Sequence, residues 1–295
     1  MTRMSGTCLM AVIVVAVTTL SAQSSVPQRV FDSRALQFMD FDSMVAALAK
    51  ADVVFVGEQH DDPNTHRLER ALLDGVAKLR GDIIVSLEMF ERDSQARLDM
   101  FLGGRITEAE FLATARPWPR YATDYKPLVD LALERKWPVV AANIPRPMAS
   151  EISKAGLGVL ENKSESEKEW FAHDWDCPAD DEYYKKFKDV MASHVSAEEM
   201  GRFYAAQCLK DETMAESIAH AWTAAAKARA GLRPPVVHYN GSFHSDYSLG
   251  TAARVKGRLP DAKVVTVTMI PIANLDTIAT AEHAPKADYV VFTTK

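Results

Sequence analysis

VVFVGEQHDDPNTH, residues 53–66, decides how this chain is read: a four-residue apolar run and a glycine lead directly into one Glu, two Asp and two His. A short Val-rich run without strict alternation suits a parallel strand buried on both faces. The ionisable residues then sit at that strand's carboxyl end, which is where ligands bind in an open α/β sheet. Asp61 and Asp62 read most simply as caps for the helix beyond, because their oxygens can accept orphan backbone N–H groups. That helix is expected over residues 64–79, where Leu68, Ala71, Leu72, Val76 and Leu79 recur at helical spacing.

Four more runs share the strand character: IIVSLEMF (83–90), WPVVAANI (137–144), PVVHYNG (235–241) and AKVVTVTMI (262–270). A further helix is expected over 125–135, between the second and third strands. This β-α-β order predicts an α/β fold, a mainly parallel sheet with helices on both faces. From about residue 150 to 233 no strand is evident, and helical patterns run over 196–208 and 212–230. The segment 161–184, ENKSESEKEWFAHDWDCPADDEYY, is charged and aromatic. We read 150–233 as a helical insertion, a lid over one end of the sheet, within a single domain spanning 30–295. No Gly/Ser-rich or Pro-rich spacer divides the chain, and no tandem repeat of 20–50 residues is present.

Composition narrows the function classes. Of 295 residues, 47% are hydrophobic and 25% charged, an ordinary globular balance that can build a large core. The formal net charge of -6 gives no basic field to gather phosphates, which argues against nucleic acid as a partner. Residues 1–24 read as a signal peptide: Arg3, then the apolar run Leu9 to Leu20, then the small residues Ser21, Ala22 and Ser24. The run is shorter than the roughly 20 apolar residues that span a bilayer, so the expected location is periplasmic or secreted, with an N-terminal membrane anchor as the alternative. Cys177 and Cys208 remain after cleavage, either as one disulfide or as two buried thiols.

The strand ends carry the candidate chemistry. VVFVGEQH and VVHYNGSFH both run from an apolar strand to Gly, two residues and His, giving Gly57 to His60 and Gly241 to His244. Glu88 ends a third strand, and an unpaired buried carboxylate there would cost several kcal/mol, so it needs a partner. Glu58, His60, Glu88 and His244 can hold a divalent metal or run acid-base chemistry. Arg120, in RPWPRY, can bind a carboxylate or an oxyanion. The candidate catalytic set is therefore Glu58, His60, Glu88, Arg120 and His244, and the candidate metal ligands are His60, Glu88 and His244. His66 faces either the same site or solvent. Asn240 and Ser242 either position the second His-bearing loop or make its turn. A capping box of Ser196 and Glu199 accounts for the surroundings of His194. Trp175, Tyr183 and Tyr184 either line a flat ligand's cleft or pack within the lid, and Met191, Met200 and Met214 read as core.

GEQHDDPNTH, SLEMF, RPWPRYATDYKPLVDLA, KDETMA and NGSFHSDYSLGTAARV together resemble the ChaN family of haem-binding uptake proteins, in the superfamily of the Tiki proteases and erythromycin esterases. The resemblance spans roughly residues 30–270. It implies an exported α/β protein with a helical lid that binds haem for iron uptake. It also implies a metal-using relative chemistry centred on His60, His244 and Glu88. A haem ligand could be Tyr, His, Met or Cys, and Tyr183, Tyr184 and His194 are the candidates. The expected partners are haem and an outer-membrane or periplasmic uptake system, with a homodimer allowed. No Cys closes the signal segment, a departure from lipoprotein relatives.

Three functions from different classes follow. The chain is a haem-binding uptake module, or a hydrolase, metal-dependent or not, built on the two GxxH motifs and Glu88, or a structural adaptor. The adaptor reading fits the converging strand-end acids and His residues least.

Overall fold

A computed structural model of the protein describes residues 26–228 and 233–295. The signal peptide expected over 1–24 lies outside the described residues, as does the end of the helix expected over 212–230. Eight strands form one sheet: β1 (Gln28–Asp32), β2 (Gln37–Met39), β3 (Val53–Glu58), β4 (Ile84–Glu91), β5 (Val139–Asn143), β6 (Val236–Gly241), β7 (Val264–Ile272) and β8 (Tyr289–Thr294). Their order is β2-β1-β8-β7-β3-β6-β4-β5. Pairing is parallel from β8 to β5, and β1 and β2 join one edge antiparallel. β3 sits centrally, hydrogen-bonded to β6 on one side and β7 on the other.

The helices up to the insertion are α1 (Phe41–Leu48), α2 (Pro63–Arg80), α3 (Gln95–Leu102), α4 (Glu108–Ala115), α5 (Tyr121–Asp124) and α6 (Lys126–Arg135). The insertion and the return to the sheet supply α7 (Arg146–Ala155), α8 (Glu165–Lys168), α9 (Glu182–Met191), α10 (Ala197–Ala228), α11 (Gly250–Arg258) and α12 (Thr280–His283). Alternate residues of a strand point to opposite faces, and β3 uses both. Val54 and Val56 pack with Met44, Leu72 and Val76 of α1 and α2, whereas Val53 and Phe55 pack with Ile218 and Trp222 of α10 and Val255 of α11. The sheet is therefore covered on both faces. No helix among the described residues is long and apolar enough to cross a membrane.

Where the structure departs from the sequence reading, the reasons are local. The two helices expected at 196–208 and 212–230 are one helix, α10, that continues through Leu209, Lys210 and Asp211. No Gly or Pro interrupts it there, and both Leu209 and Asp211 are buried against other elements, so packing holds the backbone helical. The strands β1, β2 and β8 were not among the expected ones.

Cys177 and Cys208 form a disulfide with Cα atoms 5.7 Å apart, tying the segment before α9 to α10. Closing a loop of 31 residues restricts the unfolded chain by an amount worth about 3–4 kcal/mol. Replacing both Cys177 and Cys208 by Ser should therefore lower the melting temperature by roughly 6–12 °C, read by calorimetry under oxidising conditions. An unchanged melting temperature would contradict the tie.

Candidate functional site

The site is assembled where β3, β4 and β6 end. Two close approaches set its geometry. A Cβ on Gly57 would meet the Cα of Ser242 at 3.0 Å, so the first glycine admits the loop that leaves β6. A Cβ on Gly241 would lie 2.7 Å from Nε2 of His60, so the second glycine admits the first motif's imidazole. The two loops are further joined by the Gln59 amide, which donates to the Ser242 hydroxyl at 3.1 Å. Asn240 donates to the Gly241 carbonyl at 2.8 Å and to the Ser245 hydroxyl at 3.0 Å, so Asn240 and Ser242 position the second loop as well as turning it.

Glu88 enters through an irregularity in β4. Pairing to β6 stops at Leu87, and the β5 register resumes only at Glu91, so Glu88 is freed from the regular ladder. Its Oε2 accepts the backbone N–H of Gly241 at 2.7 Å, and its Oε1 lies 3.3 Å from Nε2 of His244. The other imidazole nitrogen of His244 lies 2.7 Å from Oδ1 of Asp211, in the middle of α10. The hydroxyls of Thr251 and Tyr183 donate to Asp211 at 2.7 and 2.6 Å, and the Gln207 amide donates to the Tyr183 hydroxyl at 3.2 Å. His244 is thus clamped between two buried carboxylates. Burial works against its charge, but the charges of Glu88 and Asp211 outweigh this and raise its pKa to about 10. Burial likewise opposes ionisation of Glu88, and the His244 charge overcomes it, holding the carboxyl at about 2.

The first motif makes a different arrangement. Nδ1 of His60 lies 2.5 Å from Oε1 of Glu58, and the Tyr125 hydroxyl donates to the same oxygen at 2.8 Å. His60 is 48% exposed at its side chain and stacks edge-on to Trp118, so it is the accessible imidazole of the pair. Burial pulls its pKa down, while the Glu58 hydrogen bond and the Glu88 and Glu58 charges raise it above the ordinary value. Arg120, in the left-handed region at φ 61, donates through Nε to Asp124 at 2.8 Å and through Nη2 to the carbonyl of His60. Arg120 therefore braces the His60 loop and pairs with a carboxylate of the chain itself.

His66, which sequence left between site and solvent, is buried in the site. Its Nδ1 lies 2.9 Å from Oε2 of Glu69 and 3.5 Å from Oε2 of Glu58, and its Nε2 lies 3.3 Å from the His60 carbonyl and 3.4 Å from Asp124. Glu69 is fully buried, and burial together with the Glu58 charge raises its pKa well above the usual carboxyl range. Asp62 caps α2, accepting the Thr65 N–H at 2.8 Å, whereas Asp61 is exposed.

The sequence candidates thus fall into two adjoining groups around Gly241: Glu58 with His60, and Glu88 with His244. The three proposed metal ligands are divided between them. Among the described residues, the His, Asp and Glu ligand atoms that all lie within 4.8 Å of one another belong to Glu58, His66 and Glu69. Sequence reasoning missed Glu69, Asp124, Tyr125, Gln207 and Asp211. Two signals were present: Glu69 falls three residues after His66 on the apolar stripe of α2, and Asp211 falls on the buried stripe of α10.

In the insertion, Tyr183 is buried with its hydroxyl committed to Asp211, and burial followed by the Asp211 charge raises its pKa well above the ordinary value. Tyr184 is partly exposed on α9, and His194 is exposed beyond it. The Ser196 and Glu199 capping box forms as expected, with the Ser196 hydroxyl donating to Glu199 at 2.7 Å. Trp175 is 40% exposed, Met200 and Met214 are buried, and Met191 is partly so.

Two measurements test this geometry. Gly241→Ala should push the His60 ring off Glu58, so the His60 pKa, followed by NMR, should fall toward its ordinary value. A His60 titration identical to wild type would refute the close approach. The second concerns His244, whose folded pKa lies above its unfolded value of about 6.5. Its contribution to stability is complete below about 6.5 and is lost as the pH rises toward about 10. Glu88 contributes above about 4.5 and loses its part as the pH falls toward about 2. Thermal unfolding should accordingly show wild type weakening from pH 6.5 to 10 more steeply than His244→Gln, and parallel profiles would disprove the clamp.

A family model described as haem-binding uptake, Tiki superfamily, ChaN matches residues 44–255. No curated protein matches the sequence. Among solved structures, ChaN of Campylobacter jejuni, described for its cofacial haem binding, is similar with a TM-score of 0.67 at 18% identity, over 91% of this chain and 97% of that chain. An erythromycin esterase mutant in its open conformation aligns with a TM-score of 0.45 at 10% identity, over 91% of this chain and 83% of that chain. A succinoglycan biosynthesis protein aligns with a TM-score of 0.45 at 11% identity, over 85% of this chain and 90% of that chain.

Proposed function

The chain belongs to the haem-binding uptake family of the Tiki superfamily, ChaN, and from that premise we propose that it is an exported protein that binds haem for an iron or haem uptake pathway. The observation that carries the reading is the extent of the family match, residues 44–255, which takes in β3 to β6 and the whole helical insertion. The disulfide between Cys177 and Cys208 supports an oxidising compartment, as expected for an exported protein.

The residues of α9 suit a flat apolar ligand with carboxylate arms. Val190 is 57% exposed, and Tyr247, 38% exposed, lies under the Lys186 ammonium at 3.7 Å. Lys186, one turn before Val190, places a cation beside this apolar surface, where a propionate can pair with it. Tyr184 and His194 are the candidate iron ligands that solvent can reach. Tyr183 could reach iron only by giving up Asp211, so we assign it to the support of His244 and not to haem.

Titration of the haem-free full chain with iron protoporphyrin, followed by its Soret absorbance, tests the reading. Wild type should give a saturable shift. Tyr184→Phe or His194→Ala should move the Soret position and weaken binding about tenfold, and Tyr183→Phe should leave the position unchanged. A wild-type protein without a Soret shift would overturn the haem reading.

A hydrolytic function is the second reading, and the Glu58 to His60 pair favours it. A buried carboxylate on Nδ1 orients an exposed imidazole to take a proton from water through Nε2. His244 is held charged between Glu88 and Asp211, and in this reading it stabilises developing negative charge. Ester and peptide hydrolysis by His60→Ala, measured beside wild type, separates this function from haem binding.

A further inference from the structure

We propose that Glu58, His66 and Glu69 form a binding site for a first-row divalent transition-metal ion such as zinc, distinct from the Glu88 and His244 clamp and from any haem surface on α9. One ligand atom from each of the three residues lies within 4.8 Å of the others, and all three residues are buried.

Glu58 is anchored through one oxygen alone. Oε1 receives the Tyr125 hydroxyl and lies against His60, whereas Oε2 is buried without a hydrogen-bond partner and turns toward His66. Glu69 repeats the pattern, with Oε2 at His66 and Oε1 buried and unpartnered. Both carboxylate side chains have no solvent exposure. Two adjoining carboxylates removed from water require either a shared proton or a cation between them.

His66 is oriented for a cation. Its Nε2 faces the His60 carbonyl at 3.3 Å and Asp124 at 3.4 Å, both acceptors. With the ring proton on Nε2, the tautomer a bound metal requires, Nδ1 is the lone-pair donor facing the two glutamates. A metal-binding histidine is oriented in this way by a carbonyl or carboxylate behind it. Arg120 pairs with Asp124 and so fixes the group that fixes His66. One imidazole nitrogen and two carboxylate oxygens suit zinc, manganese or ferrous ions better than calcium or magnesium, which favour all-oxygen sets.

The sequence spacing agrees with the geometry. His66 and Glu69 sit three residues apart on one face of α2, while Glu58 closes β3 just before the turn into that helix.

The test uses the full chain, stripped of metal with a chelator and titrated with zinc by calorimetry and with cobalt by visible absorbance. Wild type should bind one equivalent of each, and zinc should raise the melting temperature. Glu69→Gln keeps the side-chain volume and removes only the charge, so it should fold as wild type by circular dichroism yet lose about 100-fold in affinity. His66→Gln should do the same. Glu88→Gln and His244→Gln should bind zinc within about threefold of wild type, since those residues belong to the neighbouring clamp. The proposal is overturned if wild type takes up no stoichiometric ion, which would leave the two glutamates sharing a proton. It is equally overturned if Glu69→Gln binds as wild type, or if affinity is lost on changing Glu88 and kept on changing Glu69. Because zinc uptake is read without haem, these outcomes are independent of the Soret titration.

Discussion

The site depends on the mutual approach of the loops that leave β3 and β6. Gly57 has no room for a Cβ because Ser242 lies against it, and Gly241 has none because the His60 ring lies against it. Each motif's glycine is thus explained by the other motif's loop. The two strands are direct neighbours, paired from Val53 with Val236 to Glu58 with Gly241, so both loops leave the sheet at the same level. Had the strands been one position further apart, the same residues would have produced two separate turns and no shared site.

That proximity collects ionisable groups in the interior, and the protein resolves them by pairing. Glu88, His244 and Asp211 form a buried run in which His244 holds Glu88 ionised and the two carboxylates hold His244 charged against the cost of burial. Glu58 has no equivalent fixed cation. Its contacts are the half-exposed His60, the Tyr125 hydroxyl and His66, and a second carboxylate, Glu69, stands beside it. The two halves of the site therefore differ in kind. In the half around His244 both carboxylates face the imidazole, whereas the half around Glu58 retains buried carboxyl oxygens without hydrogen-bond partners.

Legibility in the sequence followed burial. The five strands β3 to β7 were readable because parallel strands covered on both faces become short continuous apolar runs, and their bounds moved by no more than two residues. β2 is three residues long and lies at the sheet edge, too short to show any period, and β1 pairs antiparallel beside it with only part of its length buried. β8, with Tyr289, Val290, Val291 and Phe292, carries the same β-branched and aromatic signal as the others and was legible in principle. For the site, Glu58, His60, Glu88 and His244 were readable because they stand near or just beyond the carboxyl ends of strands, where polarity interrupts an apolar run. Glu69 and Asp211 were not, because one polar residue on an apolar helical stripe does not break the period that defines the helix. A buried acid at such a position is a functional signal only once its surroundings are known: Asp211 meets His244, 33 residues on, and Glu69, beside His66 on its own helix, meets Glu58 at the end of β3.

Asp211 also ties the helical insertion to the sheet. It stands on α10, and the residues that bond to it come from three directions: His244 from the β6 loop, Thr251 from α11 and Tyr183 from α9. The same helix is anchored one turn earlier by Cys208, whose disulfide partner precedes α9. Moving α9 away from the sheet would strip Tyr183 from Asp211 and leave a buried carboxylate oxygen unpaired, at a cost of about 1–3 kcal/mol. A ligand that engages α9 through Tyr184 need not incur that cost, because Tyr184 bears no bond to Asp211. Within α9, Tyr183 thus helps to keep His244 in place through Asp211, while the next residue, Tyr184, carries no such bond. The long helix α10 supports both layers, since Ile218 and Trp222 fill the sheet face and Asp211, two turns earlier, holds the site.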